Sequence, residues 1–132
     1  MAKAQQSAST ERREFFRINY KTPVEYKRYP ESQKTYQGVT QNISQSGVLF
    51  QTEKEPPKVS SILWMNLDIR TLKICQEIEN RAIIFKSGLL GRVVRVEEVP
   101  QSNIYDVGVC FLTQDQKNSA QVQKILSEFS TR

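Results

Sequence analysis

Residues 61–69 read SILWMNLDI, with apolar side chains at every second position from Leu63 to Ile69. Successive side chains of a β-strand point to opposite faces, so this alternation predicts a strand with one buried face. Residues 105–112 repeat the pattern, with four apolar or aromatic side chains on one face: Tyr105, Val107, Val109 and Phe111. Two such segments in one short chain indicate a β-rich fold.

Similar short segments continue on both sides and are separated by turn residues. Together with the two segments above, the pattern predicts strands over residues 21–29, 34–43, 48–52 and 91–99. Turns or loops are expected between them, at residues 30–33, 44–47, 53–58 and 100–103. Six or so short strands with regular turns predict an all-β fold, a six-stranded antiparallel, Greek-key-like β-barrel.

Residues 72–85 are ambiguous, because Ile74, Ile78 and Ala82 have the spacing of one helix face. The surrounding strand rhythm and the run Ile83-Ile84-Phe85 favour a strand, which is our prediction here. Ser87-Gly88 then marks a turn or bulge.

In the last segment, after residue 115, the spacing of apolar residues changes from that of a strand to that of a helix. Its apolar residues fall at i, i+3, i+4 and i+7, namely Val122, Ile125, Leu126 and Phe129. This stripe predicts a C-terminal α-helix over residues 115–130, capped by Thr113 or Asp115 and packed on the barrel. We favour a structural lid over an open barrel end; a partner-binding helix is the alternative.

The composition limits the domain count and the class of protein. The 132 residues suit one domain: residues 1–10, which are small and polar, should be disordered, and residues 11–132 should form the barrel domain with an arm at 11–19. The sequence has no long apolar run and no apolar signal segment. We therefore expect a cytoplasmic protein without membrane insertion.

The sequence contains no histidine, which removes the commonest general base and the commonest metal ligand. Cys75 and Cys110 are far apart and lack metal-binding spacing, so we expect buried, reduced thiols. No paired-carboxylate motif stands out. The chain should therefore be neither an enzyme nor a metal or cofactor protein.

Positive charge is concentrated near the N-terminus. The net charge is +5, and residues 1–28 hold seven basic and three acidic residues. Within them, residues 12–17 read RREFFR, and residues 42–47 further on read NISQSG. On an extended segment, Arg13 and Arg17 lie roughly 13 Å apart and can clamp different parts of one ligand. The two motifs together indicate a site for a small anionic nucleotide.

The pattern Arg13-x-x-x-Arg17 followed by Asn42-x-Ser44-x-x-Gly47 resembles the signature of the PilZ domain family, small bacterial β-barrels that bind cyclic di-GMP. The resemblance covers about residues 11–112, with weaker similarity at 91–96 and 107–111. It implies the same barrel architecture and cyclic di-GMP as the ligand, with no cofactor.

The implied site joins the two motifs to one further arginine: Arg12, Arg13, Arg17, Asn42, Ser44, Gly47 and Arg95. Arginine pairs bidentately with phosphate or with guanine O6/N7, and the Asn42 and Ser44 oxygens can accept hydrogen bonds from guanine. Gly47 should adopt a positive φ or leave room for a base. Val94 and Val96 should face the core, so that Arg95 points outward, where it either meets the second guanine or is simply solvated.

Cyclic di-GMP should order the N-terminal arm and so signal to an unidentified protein partner. Arg12 adds a third guanidinium, and the resemblance implies that PilZ domains with this arginine accept two intercalated ligands. Two alternatives stay open: a PilZ-type adaptor that acts by protein contacts without ligand, and a small basic barrel that binds single-stranded nucleic acid. The second is disfavoured, since most aromatic residues fit core positions.

Overall fold

The structure is a computed structural model that describes residues 17–130. The expected disordered tail, most of the arm, Arg12 and Arg13 lie outside the described residues. In chain order the elements are β1 (Ile18–Asn19), β2 (Pro23–Arg28), β3 (Glu31–Ile43), β4 (Gly47–Glu53), β5 (Ile62–Asn66), α1 (Cys75–Arg81), β6 (Ile84–Phe85), β7 (Gly88–Glu98), β8 (Ile104–Phe111), a 3₁₀ turn (Gln114–Gln116) and α2 (Ala120–Ser130).

Six of these strands close into an antiparallel barrel, in the order β2-β3-β4-β8-β7-β5 with β5 paired back to β2. The chain crosses from β4 to β5, which lie apart in the sheet, so the connectivity goes beyond simple hairpins. This architecture, with α2 at the C-terminal end, confirms the predicted fold class. β1 pairs with the end of β3, Ile18 with Ile43 and Asn19 with Asn42, in line with β2 along the same edge of β3.

The barrel interior holds the alternating side chains that the sequence marks as apolar. Leu63 and Met65 are fully buried there, and Leu67 and Ile69 remain buried after β5 ends. Tyr26 stacks on another tyrosine, Tyr36, with 5.5 Å between ring centroids. The predicted burial of alternate residues from Leu63 to Ile69 is confirmed, but the strand ends at Asn66, and Ile62 on its other face is also buried.

The prediction of a strand over residues 72–85 is wrong for most of its length. Residues 75–81 form helix α1, followed by the two-residue strand β6. Ile74, Ile78 and Ala82, which have helical spacing, are all buried against the interior cluster. The helical period therefore outweighs the β-branched composition, because this face has an apolar surface to cover.

The C-terminal helix begins later than predicted and packs elsewhere. Residues 114–116 form a 3₁₀ turn whose capping box uses Thr113, and α2 starts at Ala120 with the Ser119 hydroxyl accepting the Val122 N–H at 3.2 Å. α2 packs on the outer side of the sheet with Ile62 and Leu90. Helix α1, not α2, packs on the interior cluster. The prediction that the C-terminal helix forms a lid over an open barrel end is therefore wrong.

Two smaller features complete the fold. β3 begins at Glu31, paired with Arg28 across a two-residue turn, so the turn predicted over residues 30–33 is shorter than expected. Neither of the α-helices in the described part of the chain is long and apolar enough to cross a membrane.

Candidate ligand-binding groove

The ends of the two sequence motifs meet in space. Arg17 immediately precedes β1, and the pairing of Asn19 with Asn42 brings the start of β1 to the end of β3. The Arg17 Nη1 atom donates a hydrogen bond of 2.9 Å to the Asn42 Oδ1 atom. This contact joins residues that are 25 positions apart in the chain.

A groove of about 480 Å³ lies beside this contact, on the outer face of β4, β8 and β7. Its volume falls within the range of small-molecule sites. It is lined by Arg17, Ser46, Gly47, Val48, Leu49, Val94, Arg95, Gly108, Val109 and Cys110. Two of these residues are arginines and none is acidic, so the lining favours an anionic ligand.

Arg95 points outward, but for a different reason than expected. Val94 is 53% exposed rather than buried, because a β-bulge between Val93 and Arg95 changes the alternation of β7. The inward residue is Val93, which is fully buried. The Arg95 guanidinium lies 3.7 Å from a Glu97 carboxylate oxygen in an exposed ion pair, a contact of small energetic value. Arg95 is therefore available at the groove.

Gly47 is needed for the approach of two strands. None of the described glycines has a positive φ, so that expectation for Gly47 is wrong. A Cβ atom at Gly47 would lie closer than 3.0 Å to the Val109 carbonyl oxygen of β8, an approach that Cβ atoms do not make. The room left by this glycine is filled by the neighbouring backbone.

Ser44 is buried in the turn before β4 and is not among the residues that line the groove. Only 1% of its surface is exposed, and its hydroxyl accepts the Ser46 N–H at 3.2 Å and lies 3.2 Å from the Ser46 Oγ atom. The Ser44 N–H also donates to the Gly47 carbonyl at 2.9 Å. Ser44 therefore shapes the turn, and the half-buried Ser46 presents its side chain to the groove. No signal beyond its place in the motif marked Ser46 in the sequence.

Cys110 is a second residue that the sequence predictions placed differently. It is exposed in the groove, whereas Cys75 is half-buried; neither forms a disulfide. Burial, reinforced by a 3.5 Å hydrogen bond to Glu79, raises the pKa of the Cys75 thiol. The expectation of two buried thiols is wrong for Cys110. Period-two alternation could have found this, since Cys110 falls on the opposite face from Val109.

The structure thus places three predicted residues in the lining, Arg17, Gly47 and Arg95, and puts Asn42 in contact with Arg17. Ser44 holds the turn that leads to Gly47. Among the described residues, no cluster of acidic and cysteine side chains could hold a metal ion.

These features define a class of domain, a small closed β-barrel with an arginine-lined groove on its outer face. The family model of the PilZ domain matches residues 11–128 of the sequence, and the chain belongs to this family. PilZ domains are binding and adaptor domains. A comparison with curated proteins finds no significant match.

The chain is similar to several solved structures, among them the following two. One is the inhibitor of motility MotI/DgrA of Bacillus subtilis, with a TM-score of 0.53 and 12% identity over 86% of this chain. The match covers 47% of that protein, so this chain spans about half its length. The other is the PilZ domain of CeSA from a cellulose-synthesizing bacterium, with a TM-score of 0.43 and 14% identity over 85% of this chain and 91% of that one.

Proposed function

We propose that this protein is a receptor for cyclic di-GMP that signals to a protein partner. The observation that carries the proposal is the Arg17–Asn42 hydrogen bond of 2.9 Å beside an arginine-lined groove. It joins the two motifs whose residues resemble the PilZ signature. Family membership supports the same ligand class.

The groove suits the chemistry of a cyclic dinucleotide. The guanidinium groups of Arg17 and Arg95 can pair with phosphate or with guanine O6/N7. Asn42 positions Arg17, and its amide oxygen has a second lone pair with which to accept a guanine N–H. Ser44 would act by holding the turn, and Gly47 by letting β4 approach β8. No catalytic group or cofactor is needed.

The arm would provide the change that a partner reads. Arg12 and Arg13 precede Arg17 by five and four positions, so a ligand held at the groove lies within their reach. Binding would draw the arm residues that precede Arg17 onto the barrel and replace a basic surface by a neutralised one. A partner that distinguishes these two surfaces would receive the signal.

Calorimetric titration with cyclic di-GMP tests the proposal, with GTP and a short single-stranded oligonucleotide as controls. We expect saturable binding of cyclic di-GMP alone. Binding of the oligonucleotide with no response to cyclic di-GMP would replace the receptor by a nucleic-acid-binding barrel. No response to any of the three would leave the adaptor alternative and refute the receptor.

The titration also gives the stoichiometry. We expect two cyclic di-GMP molecules per chain, because three arginines bring more positive charge than one doubly charged ligand neutralises. Arg12→Leu should lower the count toward one, since it removes the guanidinium that would pair with the O6/N7 atoms of the second ligand. Native mass spectrometry counts the ligands directly. Saturation at one ligand in both proteins would refute the two-ligand arrangement.

Cys110 offers a separate test of where the ligand lies. We expect Cys110 to react with a bulky maleimide, and a tenfold excess of cyclic di-GMP over its Kd to slow this roughly tenfold, because only the unliganded fraction reacts. Mass spectrometry of the labelled peptides measures both thiols. Cys75, which lies outside the groove and has a raised pKa, is the internal control and should be unaffected by ligand. Equal labelling of Cys110 with and without bound ligand would place the ligand elsewhere.

A further inference from the structure

A second concave site shares no lining residue with the ligand groove. It has a volume of about 200 Å³ and is formed by Lys27 of β2, Trp64 of β5, Phe85 and Lys86 at the β6–β7 turn, and Phe129 of α2. We call it the Trp64 pocket. The groove, in contrast, lies on β4, β8 and β7.

The aromatic floor of the Trp64 pocket is fixed in place. The Trp64 Nε1–H donates a 2.7 Å hydrogen bond to the Phe85 carbonyl oxygen. The indole also lies directly on Gly88, where a Cβ atom would come closer than 3.0 Å to three of its atoms. Phe129 packs edge-on against Tyr29, with ring centroids 6.2 Å apart. A ligand would therefore meet a preorganised apolar surface, which lowers the entropic cost of binding.

Two lysines flank these rings. The Lys27 Nζ atom lies 5.8 Å from the Trp64 ring centroid, and the Lys86 Nζ atom lies 5.7 Å from that of Phe85. None of the five described residues that line the pocket is acidic. The pocket thus combines an apolar centre with a positive rim.

The turn that carries Lys86 is conformationally costly. Lys86 and Ser87 have φ values of 52° and 64°, where glycine, asparagine and aspartate are preferred. A lysine at the first of these positions is not the choice that backbone conformation alone would favour. It does place an ammonium group at the pocket rim.

We propose that the Trp64 pocket binds an acidic peptide segment of a partner protein. An apolar anchor side chain would enter the pocket, and carboxylates on either side of it would pair with Lys27 and Lys86. The volume of about 200 Å³ suits one large side chain, and the rim charge is complementary to an acidic segment.

The geometry disfavours other anionic partners. Trp64 and Phe85 are half-buried and Phe129 is 5% exposed, so these rings do not project far enough to enter a lipid bilayer. Lys27 lies over the indole, which leaves less of that ring for a nucleic-acid base to stack on. The inference goes beyond cyclic di-GMP binding and does not depend on it.

Trp64 is the only tryptophan in the chain, so its fluorescence reports on the pocket. The probe is a blocked heptapeptide, Asp-Glu-Asp-Leu-Asp-Glu-Asp, and the control is the same peptide with glycine at its centre. We expect a saturable change in Trp64 emission, with the leucine peptide binding at least about tenfold more tightly because its anchor is buried. Equal affinities would mean general attraction to a basic protein and would overturn the proposal.

Three charge-removing variants complete the test. Lys27→Gln and Lys86→Asn should each weaken binding about threefold. Asparagine tolerates the left-handed turn, so Lys86→Asn should fold at least as well as the wild type, which thermal melting checks. Lys73→Gln, an exposed lysine outside the pocket, should change nothing. Equal losses in all three variants, or binding of phosphatidylglycerol vesicles with no response to the leucine peptide, would overturn the proposal.

Discussion

Replacing Arg17 with alanine should lower the affinity for cyclic di-GMP by about 100-fold while leaving the barrel folded. Arg17 is exposed and precedes β1, so its loss removes no core packing. A bidentate contact to phosphate or guanine supplies two charge-assisted hydrogen bonds, together worth about 3 kcal/mol. The variant also frees Asn42, which loses its 2.9 Å contact with the guanidinium. Calorimetry measures the affinity, and circular dichroism checks the fold.

Three further variants make the test specific. Arg13→Ala should show a comparable loss if both arginines clamp one ligand. Arg17→Lys should recover little affinity, because lysine keeps the charge but lacks the planar fork. Arg70→Ala is the matched control: Arg70 is exposed, pairs with Asp68 at 2.9 Å and is not among the residues that line the groove. Affinities of the two alanine variants at Arg13 and Arg17 equal to that of Arg70→Ala would refute the site.

Much of the fold could be predicted because period-two alternation directly reflects one buried strand face. Residues 61–69 show this, since the apolar positions from Leu63 to Ile69 are all buried. Residues 72–85 show the limit: Ile74 and Ile78 fit helical spacing, but neighbouring strands and isoleucine-rich composition point the other way. Which period wins depends on the surface available for burial, and this surface exists only once the barrel has closed.

The candidate site shows a similar division. Sequence spacing singled out Arg17 and Asn42, and they do meet, because strand pairing places β1 beside the end of β3. The alternation of β7 alone did not predict the orientation of Val94, since a β-bulge between Val93 and Arg95 changes it; the glycine at this bulge is on the neighbouring strand, where Gly108 pairs with Arg95. The exposure of Cys110 could have been predicted from the alternation that buries Val109. The preference of free cysteine for protein interiors suggested burial instead.

Replacing Gly47 with alanine should destabilise the protein by about 2 to 3 kcal/mol, the cost of forcing additional volume into a packed structure. The new methyl group would be directed at the Val109 carbonyl oxygen, which belongs to the backbone of β8 and cannot rotate away. β4 and β8 would have to separate at the register pair Gly47–Cys110, which lies in the wall of the barrel and in the groove. Urea denaturation of the ligand-free protein measures this loss directly.

Gly108→Ala is the matched control, because Gly108 lines the same groove on β8. A Cβ atom there meets its nearest neighbour, the Arg95 Cβ atom, at an ordinary 3.6 Å. We expect this variant to be as stable as the wild type or more stable by about 0.5 kcal/mol, since alanine restricts the unfolded chain. If Gly47→Ala is as stable as Gly108→Ala, strand approach does not explain Gly47. If the Gly47→Ala variant is stable but has lost affinity for cyclic di-GMP, Gly47 contacts the ligand directly.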